Sequence, residues 1–216
     1  MEYKKITIDD KEYPKKLKRI YDPPKELYYV GDISLLNNIS IAIIGCRKAS
    51  KYGLKFAKIF SEGLSKKGIT IISGLAVGID GEAHKNSFKN LGKTIAILGS
   101  GLDIIYPPEN IELCKEIISN GGLVISEFPV GTVAVKENFP RRNRLVSALS
   151  NGVLVVEAKR KSGTMITVDC ALEQGIDVFA IPGNIDSINS EGTNNLLKQG
   201  AIMVTSYEDI LHNLGL

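Results

Sequence analysis

An extended Rossmann-like α/β fold, with a doubly wound and mainly parallel sheet in three layers, follows from three observations. Short apolar runs rich in β-branched residues recur along the chain, such as ISIAIIG at 39–45, KTIAILGSG at 93–101 and GLVISE at 122–127. Such runs are the pattern of parallel strands buried on both faces. Between them lie stretches with apolar residues at helical spacing, and glycines stand where strands end: Gly45, Gly74, Gly99, Gly101 and Gly183. Strands alternating with helices over 216 residues imply about six or seven parallel strands with helices on both faces.

In order, residues 1–38 read as a lysine-rich arm packed on the core, and residues 39–216 as the Rossmann-like domain. Within the arm, Leu27 to Val30 reads as an edge strand between the breakers Pro23-Pro24 and Gly31-Asp32. After the first core strand, Leu54, Phe56, Ala57, Phe60 and Leu64 share one face of a helix over 52–67, which Gly68 terminates. ITIISG at 69–74 is the next strand, followed by a helix from Ile79 to about Leu91. The strand over 93–101 leads to Pro107-Pro108, which open a helix through Ser119. The rest reads as strand 122–127, helix 138–149, strand 153–156, helix 164–174, strand 177–183, helix 192–198, strand 201–204 and a final helix from Ser206 to about Asn213.

Composition is that of an ordinary globular protein, 44% hydrophobic and 24% charged. Cys46, Cys114 and Cys170 are odd in number and widely spaced, which fits reduced, buried thiols in a cytoplasmic protein. His84 and His212 are far apart, so neither a metal site nor a cofactor is expected. No apolar run approaches the ~20 residues of a membrane helix, and no membrane insertion is expected. GxGxxG and GxxxxGK[ST] are both absent, which argues against dinucleotide binding and P-loop hydrolysis.

Charge is concentrated in one stretch. Lys136 to Thr167 carries seven cations against two anions, a local charge of +5 in a chain whose formal net charge is +3. Such an excess is the footprint of a phosphate-backbone partner. Phe139-Pro140 precedes Arg141, Arg142 and Arg144, placing an aromatic beside guanidinium groups, a pairing that clamps single-stranded bases. Ser162-Gly163-Thr164 then follows a strand and opens a helix, whose free N–H groups make an anion site. Arg47, after the first core strand, projects onto the same rim. In SGLAVGIDGEAH at 73–84, Asp80 reads as a helix-start carboxylate and His84 as a buried hydrogen-bonding group rather than as catalysts. Asp103 and Tyr106 also lie near the rim, without a second carboxylate to form a hydrolytic pair.

In sequence order, GCR (45–47), SGLAVGIDGEAH (73–84), TIAILGSGLDIIYP (94–107), SEFPVGT (126–132), NFPRRNRLVSALS (138–150), VVEAKRKSGTMIT (155–167) and EGTNNLLKQGA (191–201) resemble the DNA-processing protein A (DprA/Smf) family. The resemblance covers nearly the whole chain. It implies a non-catalytic protein that binds and protects single-stranded DNA and helps load a RecA-type recombinase in natural transformation, working as a homodimer. It implies DNA contact by Arg47, Lys136, Phe139, Arg142, Asn143, Arg144, Ser162, Gly163 and Thr164. Many relatives carry a helical SAM-like domain before this region and a winged-helix-like domain after it; functions resting on those are not expected of these residues. The alternatives are a small-nucleotide sensor and a hydrolase resembling the LOG-type phosphoribohydrolases. The latter carry PGGxGTxxE, whereas Gly163-Thr164 is followed here by Met165, Ile166 and Thr167, with threonine in place of the acid.

Overall fold

The computed structural model describes residues 2–216. The arm contributes β1 (Lys4–Thr7) and β2 (Glu26–Gly31). The domain then alternates β3 (Ser40–Ile44), α1 (Lys51–Lys66), β4 (Thr70–Ser73), α2 (Ile79–Lys85), β5 (Thr94–Leu98), α3 (Ile111–Ser119) and β6 (Leu123–Ser126). After it come α4 (Asn138–Leu149), β7 (Val153–Val155), α5 (Gly163–Glu173), β8 (Val178–Ala180), α6 (Glu191–Lys198), β9 (Ile202–Met203) and α7 (Tyr207–Asn213). All strands join one sheet in the order β1-β2-β6-β5-β4-β3-β7-β8-β9. From β6 to β9 every pairing is parallel, and only the β1–β2 and β2–β6 pairings are antiparallel, so β2 alone runs against the other strands.

Period-2 alternation builds the three layers. On β3, Ala42 and Ile44 face the layer formed by α4, α5, α6 and the arm, while Ile41 and Ile43 face α1, α2 and α7. A third cluster packs α3 through Leu113, Cys114 and Ile117 against Ala96, Leu98 and Val124. The fully buried side chains, Phe60 and Phe179 among them, each contribute about 1.5–3 kcal/mol by leaving water.

Three elements differ from the sequence reading. The strand read over 27–30 is not an edge: β2 pairs with β6 on one side and with β1 on the other. β1 is only four residues long with two exposed lysines, so it has no apolar signature. The helix read as reaching Leu91 stops at Lys85. There Asn86 donates its amide to the Glu82 carbonyl, and the Ser87 hydroxyl bonds the Ala83 carbonyl, so side chains take over backbone acceptors. Ahead of α3, Pro108–Asn110 forms a separate 3-10 turn rather than the first turn of one helix. Cys46 and Cys114 are buried, but Cys170 is only half-buried.

The arm is tied down by specific bonds. Tyr13 Oη donates to the Pro24 carbonyl at 2.6 Å, and Lys16 Nζ donates to Leu149 O and Asn151 Oδ1. At the end of β2, Gly31 has φ +103° and lies so close to β6 that a Cβ would stand 2.1 Å from the Gly122 carbonyl. Gly31→Ala should therefore cost roughly 2 kcal/mol or more, whereas Gly68→Ala, at φ +84° in open space, should cost about 1 kcal/mol. Urea-denaturation midpoints of the two variants measure the difference.

Candidate nucleic-acid interface

The sheet order reverses between β3 and β7, because β4, β5 and β6 extend from β3 one way and β8 and β9 from β7 the other. At such a switch point the loops beyond the strand ends diverge and leave a crevice. Here a cavity of about 340 Å³ opens between the loop after β3, α4 and the start of α5.

Its exposed cations come from two loops. Arg47 and Lys48 are exposed on the loop after β3, and Lys159 is exposed on the loop after β7. Ser162 is the N-cap of α5 in extended conformation, its side chain makes no cap bond, and its buried Oγ has no partner among the described residues. Gly163 and Thr164 follow on the cavity wall, so the first N–H groups of α5 face it uncapped. Phe139 stands on the first turn of α4 with the Arg47 guanidinium 5.6 Å from its ring centroid and the Tyr106 ring at 5.6 Å. Asn143 also lines the cavity and reaches Gly163 O at 3.4 Å.

The structure thus brings Arg47, Phe139, Asn143, Ser162, Gly163 and Thr164 together. Lys136 is exposed on the loop entering α4, outside the cavity wall. Arg142 also lines this cavity from α4, and the guanidiniums of Arg142 and Arg144 have different partners within the fold. Successive residues turn by ~100° on a helix, so Arg142 and Arg144 leave α4 about 200° apart. Arg142 points inward and is 5% exposed. Its Nη1 donates to Gly74 O at 2.7 Å and also to Ile97 O, and its Nε to Asn143 Oδ1. Burial lowers its pKa to about 10, partly offset by Asp80, so the group stays charged at neutral pH. Arg144 turns to the far side of α4, where Nη2 pairs with the buried Glu127 at 2.7 Å and with Asp22 at 3.5 Å. Lys48 and Lys159 were not singled out from sequence; the charge count contained Lys159, and Lys48 adjoins Arg47.

A dinucleotide-binding Rossmann fold would place its pyrophosphate at the N-terminus of the helix after the first parallel strand. That helix is α1, and its start is already filled by Glu157, 2% exposed. The carboxylate accepts from Ser50 N at 2.9 Å and from Ser50 Oγ, and a Cβ on Gly53 would stand 2.3 Å from Oε2. The anion position of α1 is occupied by the chain itself. Around the cavity, Asp80 accepts from Gly74 N and faces Arg142, while Asp103 holds the 128–137 loop by accepting from Gly131 N. His84 is buried with Nδ1 2.8 Å from Thr94 Oγ1. Since that hydroxyl donates to Ile71 O, Nδ1 carries the hydrogen, and burial keeps the ring neutral.

The model of the family described as DNA recombination-mediator protein A matches residues 4–215. The chain belongs to that family. It is 46% identical over 209 residues to Protein Smf of Escherichia coli, covering 97% of this chain and 56% of that protein. The chain thus spans little more than half the length of that relative. The X-ray structure of DNA processing protein A from Streptococcus pneumoniae superposes with a TM-score of 0.92 at 43% identity, covering 97% of this chain and 74% of that one. The family member from Helicobacter pylori, whose structure was described for its single-stranded DNA binding mode, gives 0.88 at 34% identity, covering 98% and 95%.

Two outcomes follow from the buried groups. Arg142→Met would leave Asp80 buried without a counter-charge and should lose about 3–5 kcal/mol in denaturant unfolding, whereas Lys159→Ala should stay within about 0.5 kcal/mol of wild type. Burial depresses the His84 pKa from 6.5 to about 3, so the folded chain refuses a proton that the unfolded chain takes up. This contribution to stability is intact above pH ~6.5 and falls by ~1.4 kcal/mol per pH unit as acid is added towards the folded value. His84→Gln should show a shallower loss of stability between pH 6 and pH 4.

Proposed function

We propose that this chain binds single-stranded DNA along the switch-point rim, with its backbone in the cavity and a base against Phe139. The observation that carries the reading is the asymmetry of the two helix starts. The α1 start is closed by Glu157, which disfavours a bound nucleotide cofactor, while the α5 start is open and flanked by Arg47, Lys48 and Lys159. An open cationic crevice with an aromatic at its lip suits a threaded polyanion with stackable bases. The Helicobacter pylori relative's single-strand binding supports the same reading.

Within this proposal the chain protects single strands, delivers them to a RecA-type recombinase in the cytoplasm, acts as a homodimer and performs no catalysis. The recombinase rests on membership of a recombination-mediator family, and the pairing of copies on the resemblance of the sequence motifs. Among the described residues no helix is long and apolar enough to cross a membrane. Against hydrolysis, Thr167 stands buried where a LOG-type enzyme carries its acid, and the carboxylate lining the cavity, Asp80, faces Arg142. Glycosidic cleavage needs a carboxylate free to stabilise positive charge on the sugar.

The test is binding of fluorescent oligo-dT and its duplex counterpart over a salt series. Wild type should prefer the single strand, and Arg47→Ala should reduce the log–log salt slope by ~0.7 if one phosphate contact is lost. Phe139→Ala should weaken binding by ~1–3 kcal/mol with little sequence preference. Absence of single-strand binding together with release of base from nucleoside monophosphates would establish the hydrolase instead.

A further inference from the structure

On the other side of Phe139 lies a second cavity, of about 230 Å³, which shares Arg47, Phe139 and Arg142 with the first. Phe139 is the partition between the two. The chemistry of the new walls is different. They are Tyr106, Val77, Pro107, Pro108 and Glu109.

Phosphate is disfavoured there for two physical reasons. The short 3-10 turn that begins beside it carries proline at its first positions, and proline has no N–H to offer an anion. Glu109 adds a carboxylate, which repels phosphate. Away from the shared guanidiniums of Arg47 and Arg142, what remains is an apolar, aromatic wall with one acceptor at its edge. Tyr106 is 42% exposed, its ring tilted 45° to Phe139, so it still presents free ring surface to the cavity. Stacking on such a surface is available to any planar base. The Glu109 carboxylate accepts hydrogen bonds, and among base edges the exocyclic amino group of cytosine is a suitable donor whereas thymine offers a carbonyl at that position.

We propose that this second cavity is a nucleobase subsite, in which a base next to the phosphate held at Arg47 stacks on Tyr106 and meets Glu109 through an amino edge. The proposal rests on the single-strand reading and assigns labour within it. The cationic crevice takes backbone, the Tyr106 cavity takes a base, and Arg47 stands at the border of both. A strand threaded in this way is read at one position, with amino-bearing bases favoured over thymine.

The experiment compares oligo-dC, oligo-dT and a fully abasic deoxyribose-phosphate oligomer of the same length, at neutral pH, for wild type, Tyr106→Ala, Tyr106→Phe, Glu109→Gln and Arg47→Ala. Tyr106→Ala should weaken oligo-dC binding by about 5-fold to 100-fold, leave the abasic oligomer unchanged, and be rescued by Tyr106→Phe. Wild type should prefer oligo-dC to oligo-dT by about 2–10-fold, and Glu109→Gln should reduce that preference. A loss of equal size on the abasic oligomer would make Tyr106 a support for Phe139 and overturn the subsite. So would a Tyr106→Ala variant that binds every strand as wild type does while Arg47→Ala fails on all of them. Equal binding of oligo-dC and oligo-dT by wild type would overturn the role of Glu109. If wild type binds none of the three, the single-strand reading itself has failed, which is a separate result.

Discussion

One buried guanidinium holds the rim together. Arg142 reaches from α4 to carbonyls at the ends of two parallel strands, Gly74 after β4 and Ile97 on β5, with Asp80 supplying the opposite charge. A charge placed so deep is costly unless its hydrogen bonds are satisfied, and buried carbonyls near strand ends need donors. The two requirements meet in one side chain. Phe139, Pro140 and Asn143 ride on the same helix, so the strut also fixes where they stand against the ends of β4 and β5.

The second constraint is a carboxylate used in place of a ligand. In nucleotide-binding relatives of this architecture the first helix start attracts a pyrophosphate; here Glu157 neutralises the same dipole from inside, and Gly53 is kept bare to admit it. The crevice then has no closed nest for a small anion and remains a groove with one open helix start, at α5. A fold built around a phosphate cradle is turned into one that can track a chain.

Much of this was legible in the sequence, and the reasons for the rest are physical. The parallel strands announced themselves because burial on both faces demands continuous apolar runs. The rim was legible because glycine, arginine and the Ser162-Gly163-Thr164 loop follow strands. β1 was hidden because an edge strand of four residues with two exposed lysines carries no apolar period. The different surroundings of Arg142 and Arg144 were not legible because linear proximity is not angular proximity: they sit on opposite sides of α4, one facing carbonyls and the other Glu127. Tyr106 stood near the rim in sequence, but its proximity to Phe139 is a tertiary fact, since 33 positions separate them.

The two ends of the sheet bear on how copies of this chain can associate. An open strand edge invites another strand, and the usual defences are shortness and lysine. Both are present here: β9 is two residues long, and β1 presents Lys4 and Lys5, the latter anchored to Glu26 at 2.7 Å. Strand addition across either end is therefore disfavoured. Copies that associate through helix faces and loops instead would keep each sheet a separate unit and could part without unravelling backbone hydrogen bonds.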